Sequence, residues 1–162
     1  MAFLDPTDGM GVGHTLLVSF LIRGEEGDDE LAREISGAQV CGCPYHLYSR
    51  ALLSYRLDPV HRGDGPEASE RPPGESQEEP DALLREALVA NPWVPLYLLG
   101  RREVPDDPPT AEEVLADGRL SGETAAGAYA SVALAPWHET PGAVQWLEGV
   151  LAALLRDIAQ EN

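Results

Sequence analysis

The run Asn91-Pro92-Trp93-Val94-Pro95-Leu96-Tyr97-Leu98-Leu99-Gly100 decides the fold. Before it stands a segment of helical character, Asp81 to Ala90. Pro92 and Pro95 stop that helix, because proline lacks the backbone N–H and its ring clashes with the preceding turn. Trp93, Val94, Leu96, Tyr97, Leu98 and Leu99 are too apolar for a surface loop, so the chain turns sharply and drives one short segment into a core. Gly100 supplies the left-handed residue that ends such a segment.

Working outward, the same punctuation recurs. Downstream, Pro105, Pro108 and Pro109 mark an irregular stretch, and Thr110-Ala-Glu-Glu113 has the spacing of a capping box ahead of Val114 and Leu115. Ala125 to Ala135 reads as a helix of small residues around Tyr129, ended by Pro136. Thr140-Pro141 opens the last helix, whose apolar residues Val144, Leu147, Leu151, Leu154 and Ile158 fall at three- and four-residue spacing.

Upstream of the run, Asp81 is the expected cap of the helix carrying Leu84, Ala87 and Leu88. Pro44 opens another, which puts Tyr45, Tyr48, Leu52 and Tyr55 on one face and ends at Asp58-Pro59. Nearer the N-terminus, Val12, Leu16, Leu17, Phe20 and Leu21 predict a first helix closed by Gly24. Leu31, Ala32 and Ile35 predict a second, closed by Gly37. Residues 60–79 are Pro, Gly, Glu, Asp and Ser with almost no apolar side chain, which predicts a flexible acidic insertion. Nowhere does the apolar pattern alternate as a strand would require. The fold class expected is all-α, with residues 1–162 forming one domain.

A repeat deepens this reading. The proline turns at Asp5-Pro6 and Asn91-Pro92 are separated, once the loop excess is removed, by about two of the ~34-residue tetratricopeptide periods. In that register the first two helices form one antiparallel pair, and the Pro44 and Asp81 helices form another with the insertion in their inner turn. The expected architecture is a set of tetratricopeptide-like helical hairpins stacked as a short superhelix.

The run from Asn91 to Gly100 also resembles a block, Asn-Pro-x-Val-Pro-x-Tyr-Leu-Leu-Gly, of tetratricopeptide-repeat proteins related to the suppressor-of-tumorigenicity family. Leu4 to Val12 resembles their opening turn and helix start. Tyr129-Ala130, Trp137, Thr140-Pro141-Gly142-Ala143 and Trp146-Leu147 resemble their later blocks, in the same order. The chain departs from them at Gly13-His14, where an Arg often follows the Gly-Val pair, and in the length of its insertion. The resemblance implies a helical-repeat fold and a scaffold role, and it supplies no catalytic residue.

Composition narrows the partners. The chain has 162 residues and a formal net charge of −17, from 28 acidic and 11 basic residues. All the basic residues are Arg, which fits a GC-rich coding sequence and a bacterial source. Such a balance argues against binding nucleic-acid phosphates or an anionic membrane, and suits a basic protein or peptide. The longest apolar run, Thr15 to Ile22, is far shorter than the ~20 residues needed to span a bilayer. With no signal-peptide pattern and two close cysteines, a cytoplasmic location is expected.

Few residues suggest chemistry. Cys41, Cys43 and His46 are weak candidates for a metal site, since a structural zinc site needs four ligands and the second half is missing. As a catalytic thiol, either cysteine would need an electropositive setting that this acidic chain does not offer. Gly9, Gly11 and Gly13 mimic a phosphate loop, but no strand precedes them and no Lys follows. Carboxylates at Glu25-Glu26 and Asp28-Asp29-Glu30 sit where they favour a helix N-terminus.

The expectation is therefore a non-enzymatic protein–protein interaction module without a cofactor. It would bind on the concave face that stacked repeats create, through His14, Arg50, Arg56 and Trp93. A homodimer that covers an open end of the stack is part of this expectation. Two alternatives stay open: an acidic inhibitor or immunity protein that neutralises one basic partner, and a small metal-binding or thiol-dependent enzyme.

Overall fold

The computed structural model describes residues 43–58, 80–119 and 121–162. Among them the regular structure is all-helical: α1 (Pro44–Leu57), α2 (Pro80–Ala90), α3 (Val94–Leu98), α4 (Ala111–Asp117), α5 (Glu123–Glu139) and α6 (Ala143–Glu161). No helix among the described residues is long and apolar enough to cross a membrane. The two N-terminal helices expected from the sequence, the opening turn, His14, Cys41 and the acidic insertion at 60–79 lie outside the described residues.

Helix α1 begins and ends as its prolines dictate. Pro44 occupies the first turn, where its missing N–H costs nothing, and the helix stops before the Asp58-Pro59 pair. Tyr45, Tyr48, Leu52 and Tyr55 are all buried. Helix α2 packs along α1, burying Leu83, Leu84, Ala87 and Leu88.

Helix α5 lies at the centre and packs against α1, α3, α4 and α6. Small side chains allow this: Ala125, Ala126, Gly127, Ala128 and Ala130 are buried, so neighbouring backbones approach closely. At Gly127 a Cβ would come within 3.2 Å of the Pro105 ring, so the irregular stretch before α4 rests directly on this glycine. Helix α4 starts with the expected capping box. The Glu113 amide donates to the Thr110 hydroxyl at 3.2 Å, and the Thr110 amide donates to the Glu113 carboxylate at 2.8 Å.

Four boundaries differ from the sequence reading. Pro95 does not stop a helix but sits in the first turn of α3, where proline is welcome. Asp81 is not a cap; it lies in the first turn of α2 and accepts a hydrogen bond from the Trp146 indole at 2.7 Å. Pro136 does not end α5, which continues to Glu139. The missing amide would have bonded the carbonyl of Val132, an exposed residue, whereas continuation buries Trp137 completely. Thr140 therefore closes α5, donating from its hydroxyl to the Pro136 carbonyl at 2.7 Å, and α6 starts after Gly142.

Gly142 has a φ of +78°, and a Cβ there would lie 2.6 Å from the Tyr55 hydroxyl. That hydroxyl donates to the Pro141 carbonyl at 3.0 Å, so the turn into α6 is fastened onto α1. The apolar stripe of α6 is only half used. Leu147 and Val150 are buried, Leu151 and Leu154 are partly buried, and Leu155 and Ile158 are exposed.

Candidate interaction surface

The Asn91–Gly100 run has an inner side and an outer side, and Asn91 holds both. Its backbone carbonyl accepts from the Tyr48 hydroxyl at 2.6 Å. Its side-chain amide donates to the Gly122 carbonyl at 3.1 Å, and its side-chain oxygen accepts from the Trp93 amide at 3.0 Å. Asn91 is buried and its side chain is satisfied on both ends, as a buried amide must be. Past α3, the amides of Arg101 and Arg102 donate to the Leu96 carbonyl, and Gly100 is left-handed at φ +70°. His138 donates from Nε2 to the Leu98 carbonyl at 2.8 Å, tying the end of α3 to α5.

The inner side joins an aromatic spine. Tyr55 stacks on Trp146 at 4.5 Å, and Trp146 lies nearly parallel to Trp137 at 6.1 Å. The Trp137 indole donates to the Tyr129 hydroxyl at 3.2 Å, which lies 3.3 Å from the Ser49 hydroxyl. Tyr45 meets Tyr129 edge-on at 5.5 Å, and Tyr48 lies tilted against it at 5.9 Å. Burial pushes the Tyr45 and Tyr129 phenols up to about 12, and that of Tyr48 well above the ordinary range, because a phenolate there would lose its hydration.

On the outer side Trp93 is half-buried, and the Arg102 guanidinium stands over its ring, 5.2 Å from the centroid. Arg102 also pairs with Glu123 at the start of α5, and the same carboxylate accepts from the Tyr97 hydroxyl at 3.2 Å. The result is a plate: an indole capped by a guanidinium that pairs with a carboxylate, which a buried tyrosine holds in turn. Beside it Arg101 reaches Glu148 of α6 at 3.7 Å, with both side chains largely in solvent. Glu103, Asp106, Asp107, Glu112, Glu113 and Asp117 follow in sequence, all exposed.

The other expected site residues lie elsewhere. Arg50 and Arg56 are half-buried on α1, on a different element from Trp93. Cys43 is buried at the N-cap of α1, and His46 is buried one turn later. Among the described residues no group of three or more His, Cys, Asp or Glu side chains could hold a metal ion. Sequence reasoning missed Arg102 and Glu123. Arg102 stands nine residues after Trp93 with Gly100 between them, and the turn that Gly100 makes was the available signal.

A recess of about 140 Å³ lies beside α4, lined by Pro109, Glu113, Val114, Asp117, Arg119, Thr124 and Ala125. Small-molecule sites typically enclose about 300–1,000 Å³, so this recess is the size of one side chain. No family model, curated protein or solved structure matches this chain.

Proposed function

We propose that this protein is a non-enzymatic protein–protein interaction module built from tetratricopeptide-like helical hairpins, and that it docks its partner on the surface around Trp93. The observation that carries this reading is the Trp93–Arg102 plate. Trp and Arg are the side chains most enriched at the centres of protein interfaces, and a pre-ordered pair loses little entropy on binding. The pairing of α1 with α2 supports the hairpin architecture.

The run of exposed carboxylates from Glu103 to Asp117 gives the partner its chemistry. A basic segment would lie along it, with an apolar or aromatic side chain against the exposed part of the Trp93–Arg102 pair. The same run favours a second reading, an inhibitor that neutralises one basic protein. Such a complex would form fast, weaken steeply with salt and be indifferent to Trp93→Ala, whereas docking centred on Trp93 is lost with that side chain at either salt.

Quantitative affinity capture from the source cell at low and moderate salt tests both readings, with the wild type beside Trp93→Ala and Arg102→Ala. A protein held by the wild type and lost by at least about 30-fold from Trp93→Ala supports docking on the plate. One stoichiometric basic protein, indifferent to Trp93→Ala but released by salt, supports the inhibitor. Equal capture by all three proteins at both salts overturns both.

A further inference from the structure

We propose that the outward face of α6 binds a second copy of this chain, forming an antiparallel helix pair centred on Ala152. Gln145, Glu148, Gly149, Ala152, Leu155, Arg156 and Ala159 are all exposed. At helical spacing they fall within one sector of α6, opposite the buried residues Ala143, Leu147 and Val150. They cover about 21 Å of helix.

The chemistry of this face is complementary to itself. When two copies run antiparallel about a two-fold axis at Ala152, Glu148 of one faces Arg156 of the other, and the pair occurs twice. Arg156 has no ion pair among the described residues, and Glu148 has only the long contact to Arg101. Leu155, 58% exposed, and Gly149, where a Cβ would meet nothing within 4 Å, flank the seam on opposite edges and leave the two backbones room to approach. Ala152 at the axis lets the two backbones approach closely.

The alternatives fit less well. A basic partner would meet Arg156 in the middle of the face, and an acidic one would meet Glu148. Two copies satisfy both charges at once. The face has seven residues against the ~20–30 a side of a standard interface, and each copy carries a charge of −17. The dimer is accordingly weak.

Sedimentation equilibrium on the full chain, from about 10 μM to about 1 mM at physiological salt, tests the proposal. A reversible monomer–dimer equilibrium is expected. Ala152→Glu places two carboxylates face to face at the axis and should weaken it at least about tenfold. Glu148→Arg and Arg156→Glu should each do the same, while the double variant Glu148→Arg/Arg156→Glu returns the wild-type constant to within about threefold. These positions are exposed, so helical circular dichroism and the melting temperature report that the variants still fold. A monomer at every concentration overturns the proposal, and so does a dimer indifferent to Ala152→Glu. Single variants that weaken the dimer without rescue by the double variant overturn the antiparallel register.

Discussion

Two aromatic regions of this protein are built from similar side chains and do opposite things with them. Around Tyr129 every ring is buried, and its hydroxyl meets both the Trp137 indole and Ser49. Around Trp93 the ring is half-buried, and its cover is a charged guanidinium in place of another apolar group. Closing the interior removes water from the Tyr129 and Tyr48 hydroxyls and the Trp137 indole and gives each a protein partner. The outer plate stops halfway: it is ordered by Tyr97, Glu123 and Asn91, yet one part of it stays accessible. Order without full burial is what a docking surface needs, because a partner reads a surface that is held in place and still partly open.

The largest test of this contrast removes the interior ring. Trp137→Ala should cost about 3–5 kcal/mol, since it opens a cavity and strips Tyr129 of a hydrogen-bond donor. In a chain of this size that lowers the melting temperature by roughly 10 °C, measurable by circular dichroism. A Trp137→Ala midpoint within a degree or two of the wild type would erase the distinction between the regions.

Alkaline pH provides the next test. Phenols whose folded pKa lies above the unfolded value contribute stability that is fully present below about pH 10 and is lost as pH rises through the folded value. For Tyr129, raised to about 12, the loss between pH 10 and 12 is of order 3 kcal/mol. Tyr45 and Tyr48 shift in the same direction and add to it. Tyrosinate absorbance should therefore rise in one steep, cooperative step that coincides with loss of helical signal. A gradual rise near pH 10 in the folded protein would mean that water reaches the interior hydroxyls.

The smallest effect belongs to the outer plate. Arg102→Ala should change stability by less than about 1 kcal/mol, because an exposed ion pair and a surface cation–π contact each contribute little. A chemical-denaturation midpoint that moves as far as that of Trp137→Ala would make the plate a structural element and remove its claim to docking.

Local punctuation in the sequence carried the helix boundaries well where one residue type decides them. Pro44 starts α1, Thr110 and Glu113 cap α4, and Gly100 takes the left-handed backbone, each for a reason confined to a few neighbours. It failed where tertiary packing overrides local preference. Pro136 would end an isolated helix, but the burial of Trp137 outweighs one missing hydrogen bond on an exposed face. Asp81 looked like a cap because its indole partner stands 65 positions away. The same limit hid most of the candidate site. Trp93 was legible as an aromatic residue in a special turn, whereas its cover by Arg102, which Glu123 holds, depends on how α3 meets α5. The helical period of α6 was clear, yet periodicity alone does not tell how far along a helix its neighbours extend.

Asn91 gives this arrangement a mechanical character. The amide of Trp93 is fastened to a side-chain oxygen, while the other end of that side chain grips the backbone ahead of α5 and the carbonyl of the same residue carries Tyr48. The surface turn thus has no private hinge. Swinging Trp93's backbone away from its place means pulling on a bolt whose far end sits in the interior, so a loop that would ordinarily breathe on its own opens at the cost of opening the core.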